Sequence, residues 1–266
     1  MDTRHPPIGD LIRQWRARRR LSQLDLALEA DISQRHLSFV ESGRSTPSRE
    51  MVLNLAERLD LPLRERNRLL LSAGYAPHFP QRQADDPELA PMMAAVEKVL
   101  EGHAPNPAIA VDHHWRLVSA NAAIGVFLNC VSDPELLEPP VNVLRLSLHP
   151  GGLAPLIENL PAWRAHLLER LKRLFIATGD AAIEELAEEL RGYPAPARFG
   201  DRIEPYSDIA TTLRLVMPDG ARLAFITTIT VFGTPLDVVT SEIAIESFFA
   251  ADEQTARWLR LNQQAS

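Results

Sequence analysis

The sequence predicts a two-domain α+β fold, with an all-α N-terminal domain of five helices followed by a five-stranded antiparallel sheet under covering helices. Its 266 residues suffice for two modest domains. In the first eighty residues the apolar positions recur every three to four residues, whereas beyond Asp201 they recur every second residue, as in strands. We place the N-terminal domain at residues 1–76, a linker and connecting helix at 77–104, and the C-terminal domain at 105–266.

The first three helices have recognisable starts and ends. The first helix has four apolar residues spaced along one face: Ile8, Leu11, Ile12 and Trp15. Ser22 is predicted to cap the second helix, with Asp25 as the acid of a capping box, and Asp31 is predicted to take the left-handed backbone of the next turn. Ser33 is expected to cap the third helix, which ends at Gly43.

Two more helices and a linker complete the N-terminal part. Thr46-Pro47 is predicted to begin the fourth helix, with proline at its first position, and PLRERNRLLLSAG is predicted as a fifth that ends at Gly74. The segment YAPHFPQRQADDPELAP is rich in proline and charge and lacks apolar periodicity, which is typical of a linker. A connecting helix is expected near Pro91–Gly102.

The C-terminal elements are predicted in the order strand, strand, helices and three strands. Pro107–Asp112 and Trp115–Ser119 are interpreted as strands joined by a tight His113-His114 turn. Pro218-Asp219-Gly220 favours a hairpin between two alternating segments, and LDVVTSEIAIESFF is predicted as a third long strand. A terminal helix is expected at Asp252–Asn262. This element order is that of a PAS-like domain, in which helices cover a pocket on the sheet.

The two parts of the chain differ in charge. Residues 1–82 contain 14 basic and 10 acidic residues, whereas the remainder contains 14 basic and 25 acidic residues. A basic N-terminal domain on an acidic protein indicates a polyanionic partner. Well-solvated arginine-rich helices produce the same pattern, so charge alone leaves both interpretations open.

The third helix carries side chains suited to reading DNA. Burying Leu37 and Val40 leaves the opposite face to four residues that can contact base edges in a major groove: Gln34, Arg35, Ser38 and Phe39. Gln23, first in the second helix, is placed to bind a phosphate together with the helix N-terminus. Arg44 and Ser45, just beyond the third helix, are expected to contact the DNA backbone again.

The stretch SQLDLALEADISQRHLSFVESGRSTPS resembles the helix-turn-helix of the XRE family, the phage-repressor-like Cro/C1 regulators. The resemblance implies a phosphate contact by Gln23 and an ion pair between Arg16 and Glu41 that supports the third helix. It implies groove contacts by four residues at matching positions: Ser33, Gln34, Arg35 and Ser38. Asp31 and Phe39 depart from the usual pattern, which bears on the target sequence and not on the fold.

Nearly the whole chain resembles the MmyB-like regulators, through segments that include RERNRLLLSAGYAP, NVLRLSLHPGGLAP, WRAHLLERL and FGTPLDVVTSEIAIESFF. In that family an XRE domain precedes a PAS-like ligand-binding domain, with which a fatty-acid-like ligand has been associated. The resemblance implies a transcription regulator that binds a double-stranded DNA operator as a homodimer and is modulated by a small apolar ligand. The alternative keeps the DNA-binding domain but makes the C-terminal domain an unliganded dimerisation or protein-interaction module.

Three basic residues are candidates for the polar end of a ligand pocket. Arg145, His149 and Arg164 interrupt apolar stretches in the segment expected to cover the sheet, and a buried arginine needs an anion. The competing interpretation pairs each with a protein carboxylate or carbonyl. The inward faces of the predicted strands are mainly aliphatic, which suits a flexible acyl chain better than a flat aromatic cofactor.

The sequence offers no pattern for catalysis, a resident cofactor or a metal. We find no Ser-His-Asp arrangement, phosphate-binding glycine loop or paired-carboxylate signature. Asp112-His113-His114 is interpreted as a solvated turn, because adjacent residues were expected to point apart and no further ligand is evident. The single cysteine, Cys130, excludes an internal disulfide, and a reducing cytoplasm is the simplest compartment. No membrane association is expected, because apolar runs are too short to span a bilayer.

Overall fold

A computed structural model of the chain describes residues 6–82, 86–194, 212–232 and 237–262. The chain divides into two compact units. The first contains residues 6–82 and two short segments, 176–179 and 237–241, and the second contains the other described residues. None of the described helices combines the length and the hydropathy needed to cross a bilayer.

Residues 6–82 of the first unit form five helices, as predicted. They are α1 (Ile8–Arg18), α2 (Gln23–Glu29), α3 (Gln34–Glu41), α4 (Arg49–Arg58) and α5 (Leu63–Ser72). Each contributes apolar residues to one core, among them the fully buried Ile12, Leu26, Leu37, Leu55 and Leu69. The helical periodicity of the sequence therefore corresponds to one packed interior.

Local hydrogen bonds explain where α2 and α3 begin. The Ser22 hydroxyl accepts the backbone N–H of Asp25, and the Asp25 carboxylate accepts the backbone N–H of Ser22, which completes the predicted capping box. The Ser33 hydroxyl likewise accepts a backbone N–H in the first turn of α3. Asp31 has φ 54° and Gly43 has φ 72°, so both turns adopt the left-handed backbone expected from the sequence.

The fourth helix begins later than predicted. Its cap is Ser48, whose hydroxyl accepts the backbone N–H of Met51 at 3.2 Å, so Arg49 is the first helical residue. The start of α4 is therefore determined by the Ser48 hydroxyl, which satisfies a free backbone N–H, and not by Pro47. Pro47 lies before the helix, and its carbonyl accepts the hydroxyl of Tyr75 at 3.0 Å.

The second unit alternates helices with a sheet. The helices and strands described after residue 86 are α6 (Ala90–Gly102), β1 (Ala108–Val111), β2 (Leu117–Ala120), α7 (Gly125–Leu128), α8 (Val143–Leu148), α9 (Leu160–Thr178), α10 (Ala181–Gly192), β3 (Leu213–Val216), β4 (Arg222–Val231), α11 (Val238–Ser241), β5 (Ala244–Ala250) and α12 (Glu253–Asn262). The last turn of α9 and all of α11 are grouped with the first unit. Short 3-10 turns connect several of these elements.

In the part of the chain that the structure describes, the sheet has five antiparallel strands in the order β2-β1-β5-β4-β3, which confirms the predicted class. One face packs against α7 to α10 in the main core, where Phe225, Leu148 and Leu160 are almost completely buried. The other face packs against α6, where Val96 and Leu100 contact a smaller apolar cluster. Both faces of the central strands are therefore covered.

The third long strand, predicted for LDVVTSEIAIESFF, is wrong in its first half. Val238–Ser241 forms the short helix α11, and β5 begins only at Ala244. The Asp237 carboxylate accepts the backbone N–H of Val239 at 2.8 Å, and the Ser241 hydroxyl donates to the carbonyl of Val238. These local bonds compete with strand pairing. Residue 236 and the first residues of the predicted hairpin, 209–211, lie outside the described residues.

Candidate DNA interface and ligand cavity

The outer face of α3 presents polar and basic side chains. Leu37 and Val40 are fully buried, and Gln34 and Arg35 on the other side are exposed. Ser38 is half-buried on the same side. The amphipathic pattern of α3 thus leaves Gln34 and Arg35 exposed. Glutamine can pair bidentately with adenine, and arginine with guanine, in a major groove.

Phe39 lies between two arginines. The guanidinium carbon of Arg35 is 5.4 Å from the centroid of the Phe39 ring, and that of Arg44 is 6.0 Å from it. The Phe39 carbonyl also accepts the backbone N–H groups of Arg44 and Ser45, at 2.8 and 3.2 Å. The Phe39 ring thus contacts both guanidinium groups, and its carbonyl fixes the backbone at Arg44 and Ser45 just beyond α3. Ser33, by contrast, uses its hydroxyl as the helix cap.

A buried carboxylate connects the first three helices. Glu41 of α3 has a side chain only 1% exposed, and it accepts two hydrogen bonds from Arg16 of α1, at 2.7 and 2.9 Å. Gln23 of α2 donates to the same carboxylate at 2.8 Å. Arg13 donates to the backbone carbonyl of Glu41 at 2.7 Å. The first side chain of α2, a predicted phosphate contact, is thereby fixed relative to α3.

The electrostatics of this network keep Glu41 ionised. Burial alone would raise the pKa of Glu41, but hydrogen bonds from Arg16 and Gln23, together with the charges of Arg16 and Arg13, bring that pKa below its usual value. The hydrogen bond to Glu41 correspondingly raises the pKa of Arg16. Both partners therefore carry full charge over the physiological range.

Close contact between α1 and α3 depends on a glycine. A Cβ on Gly9 would lie 2.5 Å from the carbonyl oxygen of Glu41 and 2.7 Å from that of Val40. Both obstacles are backbone atoms, which cannot move aside as a flexible side chain can. Gly9 was not singled out in the sequence, because one glycine near a helix start gives no sign of what it touches.

The second unit has an apolar cavity between the sheet and its covering helices. Its volume is about 60 Å³, and strands and helices contribute mainly apolar side chains to its wall, including Leu117, Phe127, Leu144, Trp163, Leu215 and Phe248. The aliphatic inward faces predicted from strand alternation thus meet a space that is not completely filled.

Among the described residues, the polar part of the cavity wall consists of Ser147 and Glu246. The Ser147 hydroxyl accepts the indole N–H of Trp163 at 3.0 Å. The Glu246 side chain is 4% exposed, and its carboxylate accepts a hydrogen bond from Nη1 of Arg170 at 3.0 Å. The guanidinium carbon of Arg170 lies 4.2 Å from the centroid of the Trp115 ring, and its buried Nη2 has no hydrogen-bond partner among the described residues.

The structure does not bring Arg145, His149 or Arg164 to the wall of this cavity. Arg145 forms a bidentate pair with Glu189, at 2.8 and 2.7 Å. Arg164 donates to the backbone carbonyls of residues 193 and 194, and His149 accepts the backbone N–H of Gly151. The two arginines thus have the protein carboxylate and carbonyls that the competing interpretation assigned to them. Sequence reasoning missed Glu246 and Arg170, which are 76 residues apart along the chain.

Comparisons with known proteins give two family matches. The model described as "MmyB-like transcription regulator ligand binding domain" matches residues 92–261, and the model described as "Helix-turn-helix" matches residues 12–66. A search of curated proteins finds no match. Among solved structures the chain is similar to "Structure of an RNA-binding Light-Oxygen-Voltage Receptor", at 15% identity and a TM-score of 0.29. That similarity covers 97% of this chain and 63% of the other, and at this score it carries no weight for function.

Proposed function

Since this chain belongs to the MmyB-like transcription regulators and is a DNA-binding transcription regulator, we propose that a small apolar, fatty-acid-like molecule in its C-terminal cavity controls its affinity for a double-stranded DNA operator. The observation that carries the proposal is the apolar cavity under the helices of the matched ligand-binding domain.

We assign DNA contacts to the face of α3 and its flanks. Gln34, Arg35 and Ser38 read base edges, because they project from the side opposite the buried Leu37 and Val40. Ser33 and Phe39 are assigned to the same groove, whereas Gln23, Arg44 and Ser45 contact phosphates. The regulator binds as a homodimer, so its two reading helices meet half-sites about 10 base pairs apart or a multiple of that. Light scattering of the purified protein tests the dimer.

The cavity wall suggests how a ligand would be oriented. An acyl chain would contact the aliphatic and aromatic wall, which includes Glu246. Its carboxylate would approach Nη2 of Arg170, the arginine that pairs with Glu246 from behind the wall. A guanidinium can serve two acceptors at once, because its five N–H groups lie in a fixed fork. This assignment replaces Arg145, His149 and Arg164 as the polar end of the site.

The size of the cavity suggests how binding is coupled to conformation. About 60 Å³ is well below the roughly 300–1,000 Å³ of usual ligand sites. A chain of more than a few carbons therefore enters only if the wall moves apart. A ligand that favours one conformation over another shifts the population between them, which is the physical requirement for control of DNA binding.

Lipid extraction and a cavity-filling variant test the ligand. Mass spectrometry of a solvent extract of the purified protein should detect a bound acyl compound, and added hexadecanoate should raise the melting temperature. Leu215→Phe, in the cavity wall, should abolish both effects, whereas Leu261→Phe, at a site 67% exposed, should not. An extract without lipid, and a melting temperature that ignores hexadecanoate, would contradict the proposal and favour the unliganded dimerisation or protein-interaction module. The small volume of the cavity is the observation in favour of that alternative.

A separate variant tests the polar end. Arg170→Met should remove the preference for hexadecanoate over its methyl ester without preventing the ester from binding. Arg173→Met provides the control, because Arg173 lies on the same helix with a side chain 67% exposed. An unchanged preference in Arg170→Met would contradict the assignment of Arg170 while leaving the apolar site intact.

A further inference from the structure

Two adjacent histidines at the β1–β2 turn lie together on one side of the chain. The ring centroids of His113 and His114 are 3.8 Å apart, and the two side chains are 21% and 25% exposed. The expectation that adjacent turn residues would point apart is therefore wrong at this turn. Trp115, with φ 63°, follows the pair directly in the turn.

Carboxylates surround the imidazole pair. Oδ2 of Asp180, the cap of α10, is 2.8 Å from Nε2 of His114 and 4.0 Å from Nε2 of His113. One potential ligand atom each of Asp112, His113 and His114 lies within 4.8 Å of the others. All these residues belong to the second unit. Two imidazoles and two carboxylates thus converge from two separate chain segments.

Hydrogen bonds to neighbouring groups hold this cluster in place. Oδ1 of Asp112 accepts the backbone N–H groups of His114 and Arg116, both at 2.8 Å, and Oδ1 of Asp180 accepts that of Ala182 at 3.0 Å. Nδ1 of His113 lies 3.0 Å from Oε2 of Glu242, so an N–H at Nδ1 donates to the carboxylate and leaves the lone pair of Nε2 free. A histidine that binds a metal is usually oriented by such a second hydrogen bond.

We infer that Asp112, His113, His114 and Asp180 form a binding site for a divalent transition metal ion of the zinc class, with Glu242 orienting His113 from outside. Imidazole and carboxylate are ligands that Zn²⁺ accepts. Neighbouring ligand atoms in a tetrahedral zinc site are about 3.3 Å apart, given bonds of about 2.0–2.1 Å. The distances of 2.8 and 4.0 Å from Asp180 to the two imidazoles bracket that value.

The competing explanation is a hydrogen-bonded network that is complete without a metal. In that case His114 donates to Asp180 and His113 donates to Glu242, and added metal finds no ordered site. The two explanations differ in stoichiometry and in the residues that determine it. The test therefore uses the metal alone, with full-length protein first stripped by a chelator.

Calorimetric titration with Zn²⁺ should show one ion bound per chain and a higher melting temperature of the loaded protein. His114→Gln should abolish this binding, and Glu242→Gln should weaken it about 10–100-fold, because it changes only the orienting group. His36→Gln should bind as the natural sequence does, since His36 lies on α3, far along the chain from the cluster.

X-ray absorption of the Zn²⁺-loaded natural protein gives an independent result if His114→Gln fails to fold. It should report two imidazole nitrogens, oxygen ligands and no sulfur. The inference is overturned if no Zn²⁺ binds, if binding survives in His114→Gln, or if the spectrum shows fewer than two imidazoles. None of these outcomes depends on lipid or DNA binding.

Discussion

Replacing Glu41 by glutamine should weaken the N-terminal unit severely. The substitution removes a charge that is 99% buried and leaves Arg16, 16% exposed, without its bidentate partner. Breaking a buried ion pair from one side costs roughly 3–5 kcal/mol, and we expect about 3 kcal/mol because Arg16 keeps some contact with water. A unit of this size has a stability of only about 4–11 kcal/mol. For 60–100 residues, 1 kcal/mol corresponds to about 4–8 °C, so its melting temperature should fall by about 12–24 °C.

Calorimetry of the full-length protein and titration of operator DNA provide the two measurements. Both the melting of the N-terminal unit and the affinity for DNA should fall in Glu41→Gln, because the carboxylate also fixes Gln23 relative to α3. Glu57→Gln is the control, since Glu57 is an exposed acid on α4. If Glu41→Gln leaves melting and DNA affinity unchanged, the network does not support the reading helix.

Three further predictions concern the same unit. Gly9→Ala should lower the stability of the N-terminal unit by about 1–3 kcal/mol through overpacking, although the helix propensity of alanine is better by up to about 1 kcal/mol. Gly102→Ala should not lower stability, because no neighbouring atom of the described residues lies within 4 Å of the position that its Cβ would take, and thermal melting of the two variants provides the measurement. Arg35→Ala should reduce the binding free energy for operator DNA by about 1–3 kcal/mol, through the loss of preference at one base pair. Gln23→Ala should weaken binding to operator and random DNA equally, because phosphates carry no sequence information. An equal loss of affinity for operator and random DNA in Arg35→Ala would contradict its role in base recognition. Because folding lowers the pKa of Glu41, the stabilisation that Glu41 provides is present above the unfolded pKa of about 4.3 and is lost as the pH falls through the lower folded pKa. The stability of Glu41→Gln should therefore depend less on pH in this acidic range. A pH profile identical to that of the natural protein would contradict the role of Glu41.

The N-terminal unit could be predicted closely because its determinants are local. The cap Ser22 with its acid Asp25, the cap Ser33 and the left-handed Asp31 all act within a few residues of their own positions. The predicted start of α4 differs from the observed one because proline and serine are both common near the start of a helix, and the sequence has Pro47 next to Ser48. Only the hydrogen bond of Ser48 decides between them.

The cavity was predictable in character but not in its polar residues. Arg164 and Arg170 both lie three residues from the buried Leu167, one on each side, so helical periodicity cannot tell which one pairs with a residue of the cavity wall. The difference arises from Glu246 on β5, which pairs with Arg170 across the fold. Such a pairing depends on tertiary packing between distant segments, which a single sequence does not reveal.

The sequence does not predict the convergence of the histidine cluster for a related reason. Its second carboxylate, Asp180, lies 66 residues beyond His114, and the orienting acid Glu242 lies further still along the chain. The sequence reveals only the Asp112-His113-His114 triplet, which is followed in the structure by a left-handed Trp115. That backbone conformation is uncommon for a large residue and was not anticipated.

Control of DNA binding by an apolar ligand is tested most directly by fluorescence anisotropy with the operator recovered from genomic fragments that the protein retains. The dissociation constant for operator DNA should change about 5–150-fold when hexadecanoate saturates the natural protein, the usual range of coupling between two sites. It should not change in Leu215→Phe, whose wider side chain occupies the cavity. An operator affinity that stays constant while hexadecanoate is demonstrably bound to the natural protein would contradict the proposed control.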